Sequence, residues 1–191
     1  MPMDSHGSSV LPAGARIPVG RPAIIALGTR RPVVARSAFV AFTAVLVGDV
    51  AIGEDTGIFY GAVLRGDCNS VSVGSGSNAQ DNVVLHADAD AACSIGSGVS
   101  VGHGAVVHGA TVEDDCLIGM GALVLNHAVI GYGSLVAAGS VVLEGAAISP
   151  GSLVAGRPAT VRRALSATEL EQIKANAALY RGLARQHKAS R

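Results

Sequence analysis

Residues 112–148 read VEDDCLIGMGALVLNHAVIGYGSLVAAGSVVLEGAAI. Within them Val112, Ile118, Val124, Ile130, Val136, Val142 and Ile148 recur at every sixth position, and Val154 continues the series. A strand buried on one side alternates with period two and an amphipathic helix repeats at 3.6, so neither produces a fixed six. Working outward toward the N-terminus, a five-residue step leads to Val107, Val101 and Ile95. A ten-residue step leads to Leu85, Ala79 and Val73. One more shift of register reaches Leu64, Ile58, Ile52, Leu46 and Val40. Four residues after most of these aliphatic positions stands a small residue: Ala44, Thr56, Ala62, Ser77, Ala105, Thr111, Ala122, Ala128, Ser134, Ser140, Ala146 and Ser152. Val50, Val83 and Val99 are slightly larger, and Cys68 and Cys116, which share the position, read as core fillers. Such a chain winds as a solenoid of short flat strands with a corner every six residues. The aliphatic side chain fills the bore, the small one fits the corner, and Gly and Asn/Asp supply the turn geometry. Each coil buries its apolar edges only by stacking on its neighbours.

Composition agrees with a narrow, repetitive interior. Of 191 residues, 49% are apolar but only 3% aromatic, with no Trp and 25 Gly, so Val, Ile, Leu and Ala must fill the core. Lys+Arg and Asp+Glu are both 14, which argues against a nucleic-acid or anionic-membrane footprint. Three cysteines without a CxxC pair indicate neither a disulfide framework nor a Cys-rich zinc site, so a reduced, cytoplasmic setting is expected. No apolar run is long enough to span a membrane. Residues 1–20, rich in Gly, Pro and Ser, do not read as a signal peptide and are expected to form a poorly ordered lead-in. Residues 21–160 hold the solenoid and 161–191 a C-terminal helix and tail. Ser166–Glu169, SATE, is a capping box, followed at helical spacing by Leu170, Ile173, Ala177, Tyr180 and Ala184.

The repeat resembles the hexapeptide-repeat proteins. That resemblance implies a left-handed parallel β-helix of triangular cross-section with three hexapeptides per coil.

Folding the repeat aligns the histidines. His86 and His108 each follow an aliphatic residue, Leu85 and Val107, which are three hexapeptides apart. The two imidazoles therefore stack on one face about 4.8 Å apart, within reach of one ion at the ~2.0–2.1 Å Zn–N distance. His103 lies two residues past Val101, on the preceding face, and cannot easily reach that ion within one chain. A second chain packed on that face brings it there, which suggests a three-His site shared across a head-to-tail interface in a cyclic trimer. Arg65 lies one coil below His86, and Gln80 and Asp81 lie one coil below Gly102 and His103. His6 and His187 fall in the tails, and His127 falls off the column, as a surface residue.

LRGD at 64–67, NAQDNVVLH at 78–86, VGHGAVVHG at 101–109 and AGRPA at 155–159 together resemble the signature segments of the gamma-class carbonic anhydrase-like proteins, over about residues 34–185. The resemblance implies His86, His103 and His108 as ligands of zinc or ferrous iron at a homotrimer interface. It implies Arg65 and Asp67 as an inter-subunit ion pair, Gln80 as the residue holding the bound water or substrate, and Asn78 and Asp81 as further polar residues of the pocket. Tyr180 corresponds to the helix tyrosine that reaches the pocket.

Three histidines leave a coordination position open, where zinc brings bound water to a pKa of about 7, so that hydroxide is available to attack carbon dioxide. The donor set accommodates Zn, Fe(II) or Co(II). The most active family members carry glutamates for proton removal, and Cys68 and Asn69 stand where one of these would be. Asp88 and Asp90 are candidate substitutes or merely solvated loop carboxylates; Cys93 lies in that loop with no role assigned. Two other classes share the fold: an acyltransferase or metal-dependent thioesterase acting on an acyl-CoA, and a non-catalytic binding or assembly protein with a vestigial metal site.

Overall fold

A computed structural model describes residues 20–190. The lead-in expected over 1–20, with His6, lies outside the described residues apart from Gly20. From Val40 to Val154 the six-residue spine turns inward, and twelve of its members, Leu46 to Val154, retain no exposed surface at all: Leu46, Ile58, Leu64, Ala79, Leu85, Val107, Ile118, Val124, Ile130, Val136, Val142 and Val154. They stack in three parallel ladders, one per wall. The first runs Leu64, Leu85, Val107, Val124, Val142. The second runs Ala79, Val101, Ile118, Val136, Val154. The third runs Val73, Ile95, Val112, Ile130, Ile148. Most of the small corner residues are buried as expected: Ala44, Ala62, Ala105, Ala122 and Ala128 are wholly enclosed, as are Thr56 and Ser134, while Ala146 near the last coil is half-buried.

Two corner residues depart from the six-residue count, each for a local reason. Thr111 is exposed and Ala110 occupies the corner, because the spine advances by five rather than six between Val107 and Val112. Cys68 is exposed rather than a core filler. Strand Val63–Val73 bulges beside its neighbour Val45–Ile52: Gly48 pairs with Gly66 and Val50 with Val71, so residues 67–70 oppose Asp49 alone. A bulge of this kind bends the strand and re-aims its side chains. Its base admits only glycine. A Cβ on Gly66 would lie 2.2 Å from the Asp49 carbonyl oxygen, and one on Gly48, at φ +74, would lie 2.3 Å from that of Gly66.

After the last coil, strand Ser152–Gly156 folds back antiparallel on Ala159–Ala164, a hairpin the repeat does not announce. The helix follows at Ala167–Ala189 with Ser166 as N-cap and a complete capping box to Glu169. It buries Ile173, Ala177 and Ala184 and runs along the second wall, beside Phe39–Val40, Gly57–Ile58, Asn78–Ala79 and Ser100–Val101. His187, expected to be an unremarkable tail residue, instead packs against Phe39, Phe59 and Tyr60, and its Nδ1 lies 2.8 Å from the Tyr60 hydroxyl. Lys188 Nζ donates to the carbonyls of Arg36 and Ala38, so the helix end is fixed over the first coils. Among the described residues no helix is long and apolar enough to cross a membrane.

The cysteines give the first prediction. Burial pushes the thiols of Cys93 and Cys116 up to about 12, while Cys68 stands on the exposed bulge. The thiolate is the reactive species. At pH 8 a chromogenic disulfide reagent should therefore titrate one thiol per native chain and all three only after denaturation. Prompt reaction of two or three native thiols would contradict this packing.

Candidate metal centre

The bulge, and not the regular repeat, delivers Asp67 to the histidine column. Its carboxylate forms an ion pair with Arg65 and takes a contact from His86 Nε2 at 3.1 Å. In the single chain the two residues that the family resemblance pairs between subunits already contact each other. Arg30, carried by the short Leu27–Arg30 turn, donates to the Asp67 carbonyl. Strand pairing sets Arg65 opposite His86 and His86 opposite His108. The two rings lie 4.7 Å apart between centroids, and His86 Nδ1 stands 2.8 Å from His108 Nε2. On its far side His108 Nδ1 meets Asn126 Oδ1 at 2.6 Å, and Asn126 Nδ2 donates to Asp88 Oδ2 at 2.7 Å.

This chain of contacts fixes where the ring hydrogens sit. Both carboxyls are held below their ordinary range. At Asp67 desolvation pushes upward but is outweighed by hydrogen bonds from Arg65 and His86. At Asp88 the hydrogen bond from the Asn126 amide lowers it against a smaller desolvation. An ionised carboxylate only accepts, so His86 carries its hydrogen on Nε2, toward Asp67. The Asn126 amide nitrogen must face Asp88, which turns its carbonyl oxygen to His108 and places that ring's hydrogen on Nδ1. Two neutral imidazoles so held aim two lone pairs at each other across 2.8 Å. Two acceptors face to face repel; a cation between them converts the pair into ligands. Holding the outer ring nitrogen as N–H while presenting the inner one is the arrangement of metal-ligating histidines. The donor set therefore fits a metal ion.

A second group of residues occupies the adjoining wall. His103 Nδ1 lies 3.1 Å from Asp81 Oδ2, and the Tyr180 hydroxyl lies 3.3 Å from His103 Nε2. Asp81 also accepts from the Tyr60 backbone amide at 3.1 Å. Gln80 and Asn78 are buried. The Gln80 amide donates to Asn78 Oδ1 at 3.1 Å, and the Asn78 amide donates to Ser100 Oγ at 3.0 Å. A groove of about 370 Å³ opens here, lined by Gln80, His103, Met120, Leu135, Asn176 and Tyr180. Desolvation, with the Asp81 charge adding, raises the Tyr180 hydroxyl above its ordinary range.

The nine residues singled out from the sequence thus fall into two groups. Arg65, Asp67, His86 and His108 sit on the first wall, and Asn78, Gln80, Asp81, His103 and Tyr180 sit on the second. Within one chain His103 is not brought to the other two histidines. Among the described residues the group with ligand atoms mutually within 4.8 Å is His86, Asp88 and His108. Arg30 and Asn126 were not read from the sequence. Asn126 looks like an ordinary turn residue before His127, whose φ is +59. His127 lies at the surface with Nε2 3.5 Å from Asp90.

No family model matches the chain. It is 43% identical over 166 residues to gamma carbonic anhydrase 1, mitochondrial, of Arabidopsis thaliana, a match covering 84% of this chain and 60% of that protein. It is 44% identical over 145 residues to carbonic anhydrase of Geobacillus kaustophilus, covering 76% of this chain and 80% of the relative. The chain spans about 60% of the length of the plant relatives. A hexapeptide transferase family protein from Anaplasma phagocytophilum superposes with a TM-score of 0.82 at 38% identity, over 86% of this chain and 97% of that one. Sequence, three-walled solenoid and paired histidines agree: the chain belongs to the gamma-class carbonic anhydrase-like family of hexapeptide-repeat, left-handed β-helix proteins.

Proposed function

We propose that the protein is a metalloenzyme of the carbonic anhydrase type, interconverting carbon dioxide and bicarbonate, in a homotrimer. In each trimer interface His86 and His108 of one chain and His103 of the next hold one zinc, Fe(II) or Co(II) ion. The observation that carries this reading is the pair of opposed ring nitrogens on His86 and His108, 2.8 Å apart with their outer nitrogens already engaged. At His103 Asp81 holds Nδ1, and Nε2 is the nitrogen that would ligate once the Tyr180 hydroxyl, 3.3 Å away, gives way to the ion. Assembly is supported by the outward face of the first wall. There Val45, Val63, Val84, Val106, Leu123 and Val141 form a continuous apolar column beside the histidines. A soluble monomer seldom leaves so long an apolar stripe to water. Three free cysteines fit a reducing compartment such as the cytoplasm.

A bound zinc would supply a water with a pKa near 7. The chain's own residues prepare the rest. Asn78, fixed by Ser100, takes one amide hydrogen of Gln80 and so sets the Gln80 head beside His103, where it can orient the attacking oxygen or the substrate. Arg65 keeps Asp67 ionised and against His86. Tyr180 brings its hydroxyl from the helix to the His103 side of the pocket. Asp88, half-exposed and 3.9 Å from His108, is a carboxylate able to receive a proton on its way to solvent.

The mostly apolar groove beside His103 favours a second reading, hydrolysis or transfer of an acyl-CoA thioester. Stopped-flow hydration of carbon dioxide by protein of verified metal content separates the two. Turnover that vanishes on chelation and returns with zinc is expected. Absence of carbon dioxide turnover from fully metallated protein would overturn the hydratase reading. Thioester cleavage by that same sample would favour the second, and neither activity would favour a binding or assembly role.

A further inference from the structure

We propose that Asn126 is a positioning residue of the metal centre, clamped by Asp88 so that His108 presents Nε2 to the ion. This inference rests on the metal reading above. Asp88 is grouped with His86 and His108 by proximity, yet its geometry argues against direct ligation. Its nearest approach to His108 is Oδ2 to Nδ1 at 3.9 Å, on the side of the ring away from His86. The same Oδ2 is taken by the Asn126 amide at 2.7 Å. The contact at His108 Nδ1 is instead the Asn126 carbonyl, at 2.6 Å.

The direction of the clamp follows from its anchored end. An Asn side chain can face either way, but Asp88 accepts only, so the amide nitrogen goes to Asp88 and the carbonyl oxygen to His108. That oxygen requires a hydrogen on Nδ1, which leaves Nε2 as the ligand nitrogen. Asn126 reaches over from the next coil to do this: it lies 18 residues beyond His108, and Asp88 lies 38 residues before it. The corner is crowded, since a Cβ on Gly109 would meet Asn126 Oδ1 at 2.4 Å. Asp67 performs the corresponding service for His86, so the two ligands of one chain are aimed by two different devices, a bulge and a corner.

Zinc affinity, measured by competition with a chromophoric chelator, tests the proposal. Asn126→Leu, close in size but without an acceptor, should weaken zinc by about 10–100-fold, the usual cost of losing such an outer hydrogen bond. The exchanged pair Asp88→Asn with Asn126→Asp restores a donor–acceptor clamp in reverse and should bind within about threefold of the unaltered chain. If Asp88 were itself a ligand, the exchange would lose affinity instead, and that result overturns the proposal. In zinc-loaded, ¹⁵N-labelled protein the His108 Nδ1–H should appear as a slowly exchanging ring proton and lose that protection in Asn126→Leu. Unchanged affinity or a persistent Nδ1–H in Asn126→Leu would likewise overturn it. Should that variant not fold, Asp88→Ala carries the same test, because it frees the amide end of the clamp and should also weaken zinc. His108→Ala keeps the two readings apart. If it binds zinc as well as the unaltered chain, the metal site itself is wrong and this inference falls with it. If it loses zinc while Asn126→Leu and Asp88→Ala do not, only the role of Asn126 fails.

Discussion

His108→Ala is expected to abolish stoichiometric metal binding and to lower kcat/KM for carbon dioxide hydration by at least ~10³-fold, because a metal's contribution to such chemistry is worth several kcal/mol. The site has few ligands to spare. On the proposed reading each chain offers two histidine nitrogens to one ion, and the third comes from a neighbour. Removing His108 leaves His86 with a lone pair facing a void, and on that reading the two remaining nitrogens would lie on opposite sides of an interface. The fold should survive. The His108 side chain points outward from its strand and is 31% exposed, whereas the side chain that fills the bore at this level is Val107, which is fully buried. Metal per chain, stopped-flow hydration and the far-ultraviolet circular dichroism spectrum together decide the matter: the first two should collapse and the third should not change. His127→Ala, which removes a surface partner of Asp90, should leave all three unaltered. Stoichiometric metal in His108→Ala would dismiss the histidine pair as the centre.

The legible part of this molecule is what the repeat dictates. A period of six assigns the inward residue of each wall, and stacking then puts His86 over Arg65 and under His108 without any knowledge of side-chain contacts. The separation of His103 onto the adjoining wall follows from the same count, one residue further along its strand corner. What the period cannot carry is its own interruptions. The extra residues at 67–70 leave Leu64 and Val73 correctly inside, yet they put Cys68 in solvent and Asp67 against His86. The shortened step before Val112 moves the corner from Thr111 to Ala110. Asn126 was illegible for another reason. Asn is common at corners because it tolerates tight turns, so its side-chain reach across a coil to His108 leaves no mark in the sequence. The hairpin at 152–164 was hidden because its second strand, ATVRRA, is mostly exposed and shows no regular burial. The groups that the pattern misses lie where the repeat is interrupted, as Asp67 does, or at a corner whose side-chain reach leaves no mark, as Asn126 does.

The second large effect concerns assembly. Leu123→Glu is expected to convert the protein from the proposed trimer of about 57 kDa, three chains of 19.0 kDa, to a monomer. Leu123 stands next to the last position of the outward apolar column, 37% exposed in the single chain, paired with Val106 on one side and Val141 on the other. Covering that column with a second chain would strip water from the introduced carboxylate, and an unpaired buried charge costs several kcal/mol. The site lies outside the contacts of His86 and His108, so any loss of metal must come from losing the neighbour. If His103 arrives from that neighbour, the monomer keeps two of three ligands, and metal content should fall together with mass. Thr111→Glu supplies the contrast. Thr111 is also exposed and also lies in a parallel ladder, but on the third wall between Ser94 and Val129, away from both half-sites, and it should leave mass and metal untouched. Light scattering and metal analysis on the same fractions read both quantities. A monomeric Leu123→Glu that still held one metal per chain would show that a single chain completes the centre, whereas a trimeric one would show that the first wall is not where the chains meet.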